Sequence, residues 1–283
     1  MTTHVTLTGT GTPLATHDRA GAGVLIRHDD THLQFDAGRG TVARLLGAES
    51  SPALLTALFL THYHSDHIVG LQDLVLTHWT MDVYDEAAEL PILAPNGPTI
   101  DFCERMLDIW EVDLEVRALH NKRAPQPKID IRGFEVPTQP TEVWSNEAVR
   151  VLANQVRHEP IVGAVGYRVE TPDGIIAISG DTTVCDEVAA LAAGADVVVY
   201  EAMRMDVIAR RPKDKQYIMD YHSDTRLIGK QMAALDIPRL MLTHLIPAAH
   251  TPEDEQAFID EVREGGYEGE IMVCSDLDTV VLT

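Results

Sequence analysis

The sequence predicts a mixed α/β protein in which helices cover β-sheets contributed by two similar halves. Three observations carry that expectation. Short aliphatic runs alternate with segments of helical periodicity along the whole 283 residues. Several runs, such as Val197-Val198-Val199, are apolar on consecutive positions, as strands buried on both faces should be. The succession of elements in residues 5–110 is also echoed, with variations, in residues 135–274.

In the first half, strands are expected at residues 5–7, 23–27, 33–36 and 57–60. A helix at 68–79, a strand at 91–94 and a helix at 99–110 follow. In the second half, strands are expected at 135–136, 149–156, 165–170 and 175–179, then a helix at 186–192 and a strand at 196–201. A helix at 225–235, a strand at 239–242, a helix at 252–263 and a strand at 271–274 complete it. Residues 120–128 are proline-rich and basic and read as a loop. Residues 204–215 carry Arg204, Arg210, Arg211, Lys213 and Lys215 against Asp206 and Asp214, and read as a second inserted loop. That basic run could hold an anionic substrate at the rim of a site, or simply be solvated.

The chemistry concentrates in Thr61-His62-Tyr63-His64-Ser65-Asp66-His67, where imidazole and carboxylate groups crowd the end of an apolar strand. These are the ligands that zinc takes in hydrolytic sites. Alternation along a strand sends His62 and His64 to one side. Asp66 and His67 fall on the turn that starts the next helix, so they can face a second point about 3.5–4 Å away, the spacing of two-metal sites. Three further groups stand where an apolar run meets a loop: His158, Asp181 in Ser179-Gly180-Asp181-Thr182, and His244 in Leu242-Thr243-His244. Rigid scaffolds present functional side chains at such places.

Taken together, these motifs resemble the metallo-β-lactamase superfamily of metal-dependent hydrolases. Leu7-Thr8-Gly9-Thr10-Gly11-Thr12-Pro13, the turn Asp36-Ala37-Gly38, His158-Glu159-Pro160, Tyr200-Glu201-Ala202 and Tyr221-His222-Ser223 narrow the resemblance to the branch of ribonuclease Z and arylsulfatase-like enzymes. It runs over nearly the whole chain and implies an αββα sandwich of two pseudo-symmetric halves, a single domain spanning residues 1–283. Carried over residue by residue, it implies one metal held by His62, His64, His158 and Asp181. A second would be held by Asp66, His67, His244 and the bridging Asp181. The implied cofactors are two divalent ions, Zn2+ first, with Mn2+ or iron compatible with the same ligands. The resemblance further implies attack by a metal-bridging hydroxide oriented by Asp66, with His222 donating a proton or hydrogen bond and Glu201 orienting His222. Read without the resemblance, His222 could belong to a helix cap and Glu201 to a solvated strand end.

The chain departs from ribonuclease Z in one respect. That enzyme inserts a long basic arm between its third histidine and bridging aspartate to grip transfer RNA, whereas the 23 positions between His158 and Asp181 leave room only for a hairpin. The net charge of −22, from 22 basic and 44 acidic residues, also disfavours a polyphosphate backbone. On these grounds the expected substrate is a small, anionic molecule carrying a phosphodiester, sulfate ester, carboxylic ester or lactone, and nucleic acid is an unlikely partner. A ribonuclease Z-like endonuclease acting on transfer-RNA 3′ ends is the first alternative, and an iron-dependent oxygenase or redox enzyme the second. Di-iron members of the superfamily usually place Glu where His64 stands, which favours zinc.

No run of eighteen apolar residues and no basic-then-apolar leader is present, so a soluble cytoplasmic protein without a membrane partner is expected. Cys103, Cys185 and Cys274 lack metal-type spacing and read as reduced, buried thiols. A homodimer is expected from the family resemblance alone.

Overall fold

Two seven-stranded mixed sheets carry the fold of the computed structural model, which describes residues 2–82, 88–122 and 126–283. The first half contributes β1 (Thr3–Gly9), β2 (Gly23–His28), β3 (Thr31–Phe35), α1 (Thr41–Gly47), β4 (Ala57–Phe59), α2 (Ser65–Ile68) and α3 (Leu71–Met81). It continues with β5 (Leu90–Pro95), α4 (Pro98–Arg105), α5 (Glu111–Asn121) and β6 (Ile129–Phe134). The second half contributes β7 (Thr141–Ser145), β8 (Arg150–Gln155), β9 (Val165–Thr171), β10 (Gly174–Ile178), α6 (Asp186–Ala192), β11 (Val197–Met203) and α7 (Met205–Ala209). α8 (Thr225–Ala234), β12 (Arg239–Ile246), α9 (Pro252–Glu264), β13 (Glu270–Val273) and β14 (Thr279–Leu282) complete it.

The sheets run β14-β1-β2-β3-β4-β5-β6 and β13-β12-β11-β10-β9-β8-β7. Each half begins antiparallel and ends parallel: β1-β2-β3 then β3-β4-β5-β6 in one, β7-β8-β9-β10 then β10-β11-β12-β13 in the other. This repeat is the two-fold organisation legible in the sequence. The chain closes on itself where β14 pairs antiparallel with β1, Thr3 opposite Leu282.

Between the sheets lies an apolar layer in which the Phe35 and Phe59 rings stack at 4.9 Å and Tyr167 packs on both. Helices cover the outer faces. Leu45, Leu71, Leu74 and Cys103 from α1, α3 and α4 pack on the first sheet. Val188, Leu191, Ile228, Met232, Phe258 and Val262 from α6, α8 and α9 pack on the second. The result is the helix–sheet–sheet–helix sandwich of the α/β metallo-β-lactamase fold. The three cysteines are buried, free thiols.

Several stretches differ from the sequence expectation. The helix expected at 68–79 breaks into α2 and α3 at Gly70, whose N–H donates to Ala37 O at 2.8 Å. Residues 111–121 form α5, which the sequence pattern conceals because Val112, Leu114, Val116 and Ala118 alternate as in a strand. Among its described side chains, only Leu114 and Ala118 are buried, against Trp79. No strand forms at 135–136; β6 and β7 flank that stretch as sheet edges whose exposed positions weaken the apolar signal. The 204–215 segment is partly helical, containing α7 and a one-turn 3-10 helix at Lys213–Lys215. Of the loop expected at 120–128, residues 123–125 lie outside the described residues, and α5 reaches Asn121.

The Asp36-Ala37-Gly38 turn seats the first helical layer against the strand ends. A Cβ on Gly38 would lie 2.3 Å from Asp66 O and 2.4 Å from Gly21 C, and one on Gly70 would lie 2.1 Å from Gly38 O. Backbone against backbone cannot yield. Gly38→Ala is therefore expected to destabilise the apoprotein by about 1–3 kcal/mol and to displace Asp66. A thermal melt unchanged from wild type would refute this packing account.

Candidate metal centre and cleft

Most of the candidate side chains stand at or just beyond the carboxyl ends of strands, where open α/β sheets place their ligands, while Asp66 and His67 lie in α2 and His222 precedes α8. Beyond β4, the Thr61 N–H and hydroxyl donate to the Asp36 carboxylate at 2.8 and 2.9 Å. Val165 N–H donates to Thr61 O at 3.0 Å and Tyr167 OH to Leu60 O at 2.6 Å, joining the two sheets beside His62. His64 precedes α2 in an extended conformation, and Asp66 and His67 lie in its first turn. His158 follows β8, and Asp181 follows β10 after Gly180 takes a φ of +62°. His244 lies within β12 at a φ of +46°, and Asp36 follows β3 at +55°. Sparsely populated backbone of this kind clusters at functional sites and persists only where the surroundings impose it.

The structure brings all seven metal-ligand candidates together. From Asp181 Oδ2, the Nε2 atoms of His67, His244, His158 and His62 stand at 3.3, 3.5, 3.9 and 4.0 Å. His158 Nε2 is 3.2 Å from His64 Nδ1, and His244 Nε2 is 3.2 Å from Asp66 Oδ2. His62, His64, His158 and Asp181 form one group able to hold a metal ion, and Asp66, His67 and His244 another. Two nitrogens bound to one tetrahedral zinc stand about 3.3 Å apart, close to several of these separations.

The hydrogen-bond pattern fits cations. The Nε2 atoms of His62 and His67 are buried without a hydrogen-bond partner, a costly arrangement unless a lone pair is used otherwise. The Thr61 hydroxyl already donates to Asp36, so at 2.9 Å it accepts from His62 Nδ1–H. His67 Nδ1–H donates to Asp36 Oδ2 at 2.7 Å, and His158 Nδ1–H to Tyr221 O at 2.9 Å. Each bond selects the tautomer that leaves Nε2 free for a metal.

Burial holds His62 well below the usual imidazole pKa and lowers His64 and His158. Burial alone would also push down His67 and His244, but Asp181, with Asp36 beside His67 and Asp66 beside His244, overrides it and raises both. For Asp181 itself, the upward push of burial is outweighed by His244 and His67, so its carboxyl lies well below the usual range. The site is thus an anionic centre ringed by imidazoles.

Glu201 and His222 complete the arrangement. Glu201 Oε1 accepts from His222 Nδ1 at 3.0 Å, Ser223 N–H at 3.0 Å and Thr182 N–H at 3.2 Å. Burial raises the Glu201 carboxyl, with His222 acting against it. The His222 ring stacks on His244 at 5.4 Å and lies 5.4 Å from His158. A cleft of about 820 Å³ opens over His64, Asp66, Asp181, His222 and His244.

His250 also lines this cleft, and His78 and Trp79, on α3, are buried. Sequence reasoning gave no role to Thr61 or to the Tyr221 carbonyl, and saw Asp36 only as part of a turn. The available signal for Asp36 was a carboxylate closing a buried strand.

A family model described as a beta-lactamase superfamily domain matches residues 31–245. Over 277 residues, making up 98% of this chain and 97% of the relative, the sequence is 32% identical to ribonuclease Z of Mycobacterium bovis. Among solved structures, the metallo-beta-lactamase fold protein YhfI from Bacillus subtilis superimposes with a TM-score of 0.74 at 17% identity, covering 99% of this chain and 100% of that one. Human tRNase Z, short form, superimposes with a TM-score of 0.72 at 20% identity, covering 98% of each chain.

The expectation that nucleic acid is an unlikely partner is overturned by this whole-length similarity to ribonuclease Z. Its physical weakness was to treat net charge as uniform. A sum of −22 over the whole chain says little about one cleft, and Arg211 and Lys215 line this one. The missing arm does not rescue the expectation, because this chain and the relative are of nearly equal length. Among the described residues, no helix is long and apolar enough to cross a membrane. The chain is a hydrolase that belongs to the metallo-β-lactamase superfamily, in the branch that contains ribonuclease Z.

Proposed function

We propose that this protein is a dinuclear zinc phosphodiesterase that cleaves RNA, with transfer-RNA precursors carrying a 3′ trailer as its substrate class. One observation carries the reading: seven ligand-type side chains converge around Asp181 in a chain that aligns end to end with ribonuclease Z. His62, His64, His158 and Asp181 would hold one ion, and Asp66, His67, His244 and Asp181 the other, within one catalytic domain built by both sheets. When bound, two such ions would lower the pKa of an attacking water and offset the charge that develops on phosphorus.

The chain's own residues then do the following. Asp66, on the cleft floor, orients the attacking water. Glu201 fixes the His222 ring through Nδ1, so that Nε2 faces the substrate and protonates the leaving ribose oxygen. Arg211 and Lys215 attract the substrate's flanking phosphates.

Zinc-loaded protein is expected to cut a transfer-RNA precursor at its 3′ trailer. Asp181→Ala should lose both metal and activity, whereas His222→Ala should keep its metal and lose about 10²–10⁴-fold in turnover. Fully metallated wild type that leaves the precursor intact would sink the reading; unchanged turnover in His222→Ala would remove that residue alone. Asp36→Ala is expected to weaken metal affinity about 10–100-fold in a chelator competition, and wild-type affinity would exclude Asp36 as the orienter of His67. Acid should displace metal, because protons compete for the imidazole nitrogens: burial lowers His62, His64 and His158, while Asp181, with Asp36 or Asp66, raises His67 and His244, which take up protons at higher pH. Metal content after dialysis at falling pH should therefore drop, and full retention of metal well below the imidazole range would contradict the assignment.

A further inference from the structure

We propose that Tyr217 is a stacking platform for an unpaired nucleobase next to the scissile phosphate; this rests on RNA being the substrate. Tyr217 lines the cleft with its side chain turned to solvent, 58% exposed, and Leu14 lines the same cleft at 78%. An exposed aromatic ring at the mouth of a cleft offers a flat face on which a planar ligand can stack.

Tyr217 is joined to the centre by a run of rings. Its ring lies 6.2 Å from that of Tyr221, which lies 4.9 Å from His222 and 5.2 Å from His158. A base on Tyr217 would therefore continue a wall of rings that ends at the residues around Asp181. Both lips of the cleft are held in place. Tyr217 opens a one-turn 3-10 helix, Tyr217–Asp220, and the Gln216 amide before it donates to Ala209 O and Arg211 O at 2.8 and 2.7 Å. On the other lip the Arg39 guanidinium donates to the carbonyls of Thr12 and Pro13 at 2.8–3.1 Å, fixing the loop that carries Leu14.

The chemistry points to a nucleotide. Arg211 and Lys215 line the same cleft, and cations interleaved with an exposed aromatic ring are the recurrent composition of single-strand grooves. Each base has a π-face, so a platform of this kind accepts any sequence. The β9–β10 hairpin turns directly from Thr171 to Gly174, with no arm between His158 and Asp181 to hold the substrate. The cleft lips supply that grip instead.

The test uses metal-loaded protein and a transfer-RNA precursor with 2-aminopurine placed on either side of the scissile phosphate, mixed by stopped flow. Wild type should quench the probe before cleavage. Tyr217→Phe should keep the quench and the KM. Tyr217→Ala and Tyr217→Leu should lose the quench and raise KM roughly 5- to 100-fold, with kcat affected less. Two metals per chain and a wild-type melting curve identify folded variants, and the leucine variant serves if the alanine variant unfolds. Wild type that cleaves RNA while Tyr217→Ala or Tyr217→Leu keeps both quench and KM overturns the platform alone. Wild type that cleaves no RNA overturns the ribonuclease reading and the platform with it.

Discussion

The Asp36 carboxylate is the point on which the rest of the site depends. It closes β3 at a φ of +55° and accepts from the Thr61 N–H, the Thr61 hydroxyl and His67 Nδ1. One side chain thereby ties the loop after β4 to helix α2. It also propagates further: the Thr61 hydroxyl, spent on Asp36, becomes the acceptor that sets the tautomer of His62. A buried carboxylate with three donors is stable only as a set, because losing one partner strands charge in a low dielectric. The close approach of Gly21, Gly38 and Gly70 lets the turn and the helix meet at all.

Symmetry between the halves explains why the two groups of ligands meet. Each half turns from antiparallel to parallel pairing, so the carboxyl ends of β4, β8, β10, β11 and β12 share one edge of the sandwich. The first half contributes the dense His62–His67 stretch, and the second contributes isolated groups at separate strand ends. Asp181 lies among the Nε2 atoms of His62, His67, His158 and His244. Its charge outweighs burial for its closest neighbours, His67 and His244, and fails to do so for His62. One carboxylate thus makes two chemically different environments from one kind of ligand.

What was legible from sequence follows the range of the forces involved. His62, His64, Asp66 and His67 are visible because one strand end and one helical turn place them, which is local geometry. His158, Asp181 and His244 are visible individually as polar groups ending apolar runs, and His222 only through the family resemblance, but their meeting depends on pairings between distant strands. Only the family resemblance implied that meeting beforehand. α5 was hidden for a different reason: Val112 and Val116 are exposed, at 72% and 62%, so apolar character there does not report burial. Asp36 was hidden because its partners lie 25 and 31 positions away.

Net charge misled for the same reason that α5 did: a bulk property was read as a local one. A phosphate approaching the cleft meets Arg211 and Lys215 within a Debye length of about 8–10 Å, whereas acidic groups elsewhere on the surface are largely screened. For the RNA substrate proposed above, long-range repulsion would lower the rate of encounter, but it would not decide what is held once the backbone is inside. That is decided by the divalent charge the centre can bind, the two cations in the wall and the rings beside them.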